Sequence, residues 1–211
     1  MRRLALTLAA VALAVPATAD AMQLDPAPAT PVLLAPIEWR ESRAVGKPFA
    51  GRLVDGVQLP AEGPDFWTYD WALRTAPNRP WRRWGTDRLV RTVLDVLGAY
   101  RQANPGAARI GVADLSRTEG GRFGKNFGGL GHASHQNGLD VDILYPRTDG
   151  LELRAHAPRL VDPALSQDLV DRFVAAGATQ VFTGPRLGLR GPRRKVIALV
   201  HHDDHMHVRI R

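Results

Sequence analysis

The chain has 211 residues, with 28 lysines and arginines against 21 aspartates and glutamates, a formal net charge of +7, and no cysteine. That length supports one domain with a sizeable core and argues against a second independent one. The absence of cysteine excludes disulfide cross-links and a cysteine-borne lipid anchor.

Met1-Arg2-Arg3 is followed by an apolar stretch from Leu4 to Val15 and by small residues at Ala17-Thr18-Ala19 and Ala19-Asp20-Ala21, so residues 1–21 read as a secretory signal. The apolar stretch is shorter than the roughly 20 residues needed to span a bilayer, and no later run approaches that length, so no stable membrane anchor is expected in the mature form. Export to the periplasm or to the extracellular cell wall is the expected fate. Without Arg2, Arg3 and Asp20 the mature chain keeps a formal charge of about +6. For an exported protein this points to anionic wall polymers or membrane surfaces, and away from nucleic acid.

Residues 22–37 are rich in alanine and proline without periodicity and read as a leader ahead of a single domain over 38–211. Between Glu38 and Trp84 the signals are short strands and turns, with a hairpin expected around Asp55-Gly56. Trp67, Trp71, Trp81 and Trp84 follow. Their nearness to prolines suggests a lid packed on the core, with an aromatic wall for substrate as the alternative. A helix is predicted from Thr86 or Asp87 as cap, with Leu89, Val90, Val93, Leu94, Leu97 and Tyr100 on one side and its end at Asn104-Pro105-Gly106. Ile110 and Val112 suggest a strand.

Six of the seven histidines fall in two clusters, His132 and His135, then His201, His202, His205 and His207, each accompanied by aspartates. Imidazole and carboxylate are the ligands that zinc prefers. GLDVDILY (138–145) alternates as a strand should, so Asp140 and Asp142 share a face. Likewise His205, His207 and Arg209 alternate with Met206, Val208 and Ile210. Two antiparallel strands would bring these faces together, and His135 would reach the same point from a loop freed by the glycines of 128–131 and Gly138. His156 and His201 read as structural or peripheral, and Asp203 as a turn residue bonded to its own backbone. A second helix is predicted from Asp162-Pro163 to Gly177, then a strand over Thr179–Thr183 and a basic loop carrying Arg186, Arg190, Arg193, Arg194 and Lys195. The alternation lacks regular βαβ spacing and a phosphate loop, so the expectation is an α+β domain, a small antiparallel sheet flanked by helices and loops.

The arrangement His-x6-Asp with a distant His-x-His resembles that of the penicillin-insensitive murein endopeptidases, zinc peptidases related to the lysostaphin-type and D-Ala-D-Ala metallopeptidases. The likeness is strongest over 113–147, which contains GHASHQNGLDVD, and over HDDHMHVR (202–209). It implies that the sheet carries one Zn2+ per chain, held by His135, Asp142 and His207 with a water at the fourth position. It places His205 beside that water as base or charge stabiliser, with His132 and His202 lining the pocket, their roles undivided. Asp140 and Asp204 are candidates for partners behind the ligands. The implied activity is hydrolysis of peptide crosslinks in peptidoglycan, with the peptide stems as partner. A carboxypeptidase on the same stems and a non-catalytic wall-binding module are the alternatives.

Overall fold

The computed structural model describes residues 31–124 and 132–211. The expected signal, most of the leader and the glycines of 128–131 lie outside the described residues.

β1 (Arg43–Lys47) and β2 (Ala50–Val54) form an antiparallel hairpin turning at Pro48 and Phe49, with Lys47 opposite Ala50. The hairpin expected around Asp55-Gly56 does not form. Asp55 does take a left-handed conformation (φ 51°), but β3 (Val57–Gln58) pairs with β5 (Trp84–Gly85). Val57 is fully buried in the core, and that burial, a long-range effect, outweighs the local turn signal.

β4 (Phe66–Thr68) precedes β5, and α1 (Asp87–Ala103) begins where the Thr86 side chain accepts the Leu89 amide at 3.2 Å. Its buried positions Leu89, Val90, Val93, Val96, Leu97 and Tyr100 recur at helical spacing. β6 (Ile110–Val112) and β7 (Asp140–Leu144) follow. Asp162 caps α2 (Pro163–Ala175) through the Leu165 amide at 2.9 Å. The chain ends with β8 (Gln180–Thr183), β9 (Val196–Ala198) and β10 (His205–Arg209).

Six strands form the main sheet in the order β4-β6-β7-β10-β8-β9. The expected antiparallel sheet is therefore a mixed one. Its inner pairs are antiparallel, but β4 runs parallel to β6, with α1 in the connection, and β9 runs parallel to β8. β4 is only three residues long in a tryptophan-rich stretch, too short for its alternation to be read beforehand.

β7 and β10 are the two central strands. On one face Val141, Ile143, Met206 and Val208 are fully buried in the core that also holds α1 and α2. Each such side chain contributes about 1.5–3 kcal/mol relative to exposure. A slip of one residue would turn this set outward, so the apolar face also fixes the register that aims Asp140, Asp142, His205 and His207 at the opposite face.

Gly138, just before β7, has φ +74°, and its carbonyl accepts the Thr86 amide at 2.9 Å. A Cβ there would lie 2.7 Å from Leu53 Cδ1 and 3.0 Å from the Thr86 nitrogen. Gly138→Ala is expected to destabilise by at least about 1–2 kcal/mol, the left-handed penalty alone, read as a lowered urea midpoint at unchanged slope.

Candidate metal centre

The β7–β10 register sets His207 opposite Asp142 and Arg209 opposite Asp140. His207 Nδ1 lies 3.0 Å from Asp142 Oδ1. The third corner is His135 Nε2, 3.1 Å from His207 Nδ1 and 3.3 Å from Asp142 Oδ1. One loop and two strands thus close a triangle of nitrogen and oxygen atoms that could hold a metal ion. His132 borders it, with Nδ1 3.7 Å from Asp142 Oδ2, and His132, His135 and Asp142 offer ligand atoms within 4.8 Å of one another.

His135 is held in a left-handed conformation (φ 68°), uncommon for a residue with a side chain. Its amide donates to Asp140 Oδ2 at 2.9 Å, and its ring Nδ1 to the Leu115 carbonyl at 2.7 Å. That second bond fixes the proton on Nδ1 and turns the Nε2 lone pair toward Asp142. Burial, with the neighbouring charges of His132 and His207, pushes the His135 pKa down and keeps the ring neutral. For Asp142 burial opposes ionisation, but His135, His207 and His205 outweigh it and hold the carboxyl well below the ordinary range. Two buried acceptors facing each other at 3.3 Å need a cation, which a proton on His207 or a metal ion supplies.

Burial also disfavours charge on His207, yet the Asp140 and Asp142 carboxylates push its pKa up to about 9. Nε2 lies 3.3 Å from Oδ1 of Asp140 without hydrogen-bond alignment, which leaves Nε2 a buried polar atom without a hydrogen-bond partner. Asp140 is committed elsewhere, to Arg209 Nε at 2.6 Å and to the His135 amide.

The other expected residues divide. His205 Nδ1 meets Asp204 Oδ1 at 2.7 Å, and its ring stands 5.2 Å from that of Trp71. The Nδ1–H of His202 donates to the Val200 carbonyl at 2.9 Å, and its ring is 4.9 Å from His205. All of these groups line one cavity of about 850 Å³, whose remaining wall is largely apolar: Phe49, Trp71, Phe182, Leu199 and Val200. His156 lies apart, on a separate polar cavity. His201, left-handed at φ 67°, is exposed at the edge between the two. Asp203 does not bond its own turn: Oδ1 accepts the Arg186 amide at 3.1 Å and Oδ2 the Arg186 side chain at 2.6 Å, tying the basic loop to the C-terminal strand. Nor do the tryptophans act together. Trp67 is buried on Tyr69, Trp81 lies 6.3 Å from Phe123, and Trp71 alone of the four joins the cavity wall.

Residue-by-residue reading missed Asp114, Arg82 and Arg154 as members of the site, and it gave Trp71 only within the alternative of an aromatic wall. Asp114 is fully buried and accepts from His132 Nε2 at 2.7 Å and from Arg82 Nε at 2.6 Å. Burial would raise its pKa, but these two partners hold it below the ordinary value. A carboxylate directly after the apolar run Ile110–Ala113 was the available signal.

Residues 44–172, more than half of the chain, match the family described as penicillin-insensitive murein endopeptidase. The match includes His132, His135 and Asp142 and ends before β10, so His205 and His207 join the site through the sheet register. Among curated relatives, the penicillin-insensitive murein endopeptidase of Klebsiella pneumoniae subsp. pneumoniae is 28% identical over 196 residues, covering 81% of this chain and 66% of that protein. Those of Citrobacter koseri and Escherichia coli O1:K1 are each 30% identical over 135 residues, covering 52% of this chain and 47% of theirs. The chain thus spans about half to two thirds of the length of the curated relatives it matches. On the extent of the family match, the chain belongs to the penicillin-insensitive murein endopeptidase family.

Proposed function

We propose that this protein is a zinc-dependent endopeptidase that hydrolyses peptide crosslinks in peptidoglycan, with His135, Asp142 and His207 as the metal ligands. The observation that carries the reading is the triangle of Nε2, Oδ1 and Nδ1 atoms with sides of 3.0, 3.1 and 3.3 Å. Ligands about 2.0–2.1 Å from a tetrahedral zinc stand roughly 3.3 Å apart, and two imidazoles with one carboxylate are a donor set that zinc takes at catalytic sites. Zinc bound there supplies a Lewis acid that polarises a carbonyl and lowers the pKa of a water to about 7.

The chain's own residues supply the rest. With its Nδ1 proton given to Asp204, His205 has Nε2 available to take a proton from the attacking water and return it to the leaving amine. Burial opposes charge on His132, but Asp114 and Asp142 outweigh it and raise its pKa, so that its Nδ1 can take up a proton and, once charged, face the oxygen on which charge develops. His202, whose pKa burial lowers, is a neutral ring that orients the peptide. The single domain over 38–211 and export to the periplasm or wall complete the reading. Among the described residues no helix is long and apolar enough to cross a membrane.

An endopeptidase is favoured over a carboxypeptidase by the cavity wall. Its one arginine among the described lining residues, Arg209, is engaged by Asp140 at 2.6 Å and by Gln180 at 2.8 Å, leaving no guanidinium for a free terminal carboxylate. Purified sacculi incubated with zinc-loaded and with chelator-treated protein are therefore expected to show crosslinked dimers converted to monomers only with zinc, by mass-spectrometric muropeptide profiling. Loss of terminal alanine alone would establish the carboxypeptidase, and an unchanged profile would leave a wall-binding module.

Ion uptake must also displace the proton that His207 Nδ1 shares with Asp142. With a folded-state pKa near 9 against an ordinary 6.5, the His207 contribution to metal-free stability is fully present below about pH 6.5 and is lost as pH rises through 9. Zinc binding between about pH 7 and 8 is expected to release close to one proton from this site. Calorimetric titration in buffers of different ionisation enthalpy measures it, and binding without proton release would remove His207 from the ligand set.

A further inference from the structure

The two histidines that border the triangle are held by matching rings of contacts. Around His205, the Asp204 carboxylate accepts the Nδ1 proton at 2.7 Å, and the other oxygen of Asp204 accepts from Arg154 Nε at 2.9 Å. The Arg154 guanidinium lies 4.8 Å over the ring of Trp71, and Trp71 stands edge-on to His205 at 5.2 Å, which closes the circuit. Around His132, Asp114 accepts from Nε2 at 2.7 Å and from Arg82 Nε at 2.6 Å. Arg82 lies 5.0 Å over Phe123, whose ring meets His132 at 5.1 Å. The sequence of groups is the same in both: arginine, aspartate, histidine, aromatic ring, arginine. The histidine nitrogen that is used differs.

We infer that Arg154 and Arg82 are positioning residues, each of which locks one non-ligating histidine through a carboxylate and an aromatic ring, so that the two rings are fixed in opposite tautomers, His205 as Nδ1–H and His132 as Nε2–H. Ionised aspartate only accepts hydrogen bonds, so the nitrogen facing it carries the proton and the other nitrogen is the one presented elsewhere. His205 thereby presents Nε2 and His132 presents Nδ1, the atom 3.7 Å from Asp142 Oδ2. An arginine suits the post better than a lysine, because its planar fork both grips the carboxylate and lies flat on the ring. Fixing the aspartate from the far side keeps the imidazole from flipping, which would swap its donor and acceptor nitrogens and cancel proton transfer. The assignment of a catalytic role to these histidines rests on the function proposed above; their tautomers do not.

The test uses zinc-loaded protein with 15N-labelled histidine, in which long-range 15N–1H correlations at alkaline pH show which ring nitrogen bears the proton, with His205→Gln and His132→Gln for assignment. The expected result is Nδ1–H for His205 and Nε2–H for His132. In Arg154→Ala the His205 signal should become a mixture of tautomers while that of His132 stays unchanged. In the same variant kcat should fall about 10- to 100-fold at unchanged KM and zinc content, and Arg154→Lys should recover part of that loss. Arg154 is 30% exposed, so its replacement is compatible with folding, whereas the fully buried Arg82 is tested on the unaltered protein through His132 alone. The opposite tautomer for either histidine in the unaltered protein overturns the inference for that clamp, and so, for Arg154, does Arg154→Ala with an unchanged His205 signal and rate. The expected tautomers in a protein that leaves sacculi intact would uphold the clamps and refute the proposed endopeptidase.

Discussion

Asp142→Ala is expected to abolish metal binding and turnover together while leaving the domain folded. Asp142 Oδ1 lies within 3.3 Å of both other corners of the triangle and is its one anionic member. Without it two imidazoles remain, and neither charge nor geometry compensates. The loss of affinity should exceed the roughly 10- to 100-fold that follows removal of a group merely behind a ligand. The fold should persist because the apolar face of β7, Val141 and Ile143, is untouched. Metal analysis after dialysis, activity on sacculi and far-UV circular dichroism form the check. A variant that retains one zinc per chain at unchanged affinity would refute the ligand assignment. His135→Ala and His207→Ala should follow the same pattern.

His205→Ala is expected to separate what Asp142→Ala joins. Its ring hydrogen bond goes to Asp204, not to the triangle, and its other close neighbours are Trp71 and His202. Zinc should therefore stay bound at full stoichiometry, while kcat falls by roughly 10²–10⁴-fold, the usual contribution of a positioned acid–base group. KM should change little, since the ring acts on a proton in transit. If the metal is lost with the ring, His205 is a ligand and the triangle has a fourth protein corner. If the rate is unaffected, the proton is carried by His132 or His202.

The features that the sequence displays are those governed by near neighbours. Both helices are legible from their caps, Thr86 and Asp162, and from apolar recurrence. Parity alone places Asp140 with Asp142 and His205 with His207, because side chains alternate on a strand whatever it pairs with. Pairing partners are another matter. Asp55-Gly56 advertises a hairpin, yet β3 pairs with β5, and no local signal announces that β4 and β9 run parallel to their neighbours. Arg154 shows the same limit at the site: it lies 50 residues from Asp204, and only the folded chain reveals that it grips that carboxylate. Trp71 looked like its three neighbours in sequence and differs from them by contact with His205.

β7 and β10 occupy the middle of the six-stranded sheet, flanked on both sides by other strands and backed by buried aliphatic side chains. Hydrogen exchange is slowest at such positions, because they open only when the whole domain does. Asp142 and His207 are thus mounted on the last part of the molecule to loosen, while His135 is carried by the loop that enters β7. Opening of either strand is thereby tied to opening of the domain, so the spacing between Asp142 and His207 is set by the sheet as a whole and not by local loop motion.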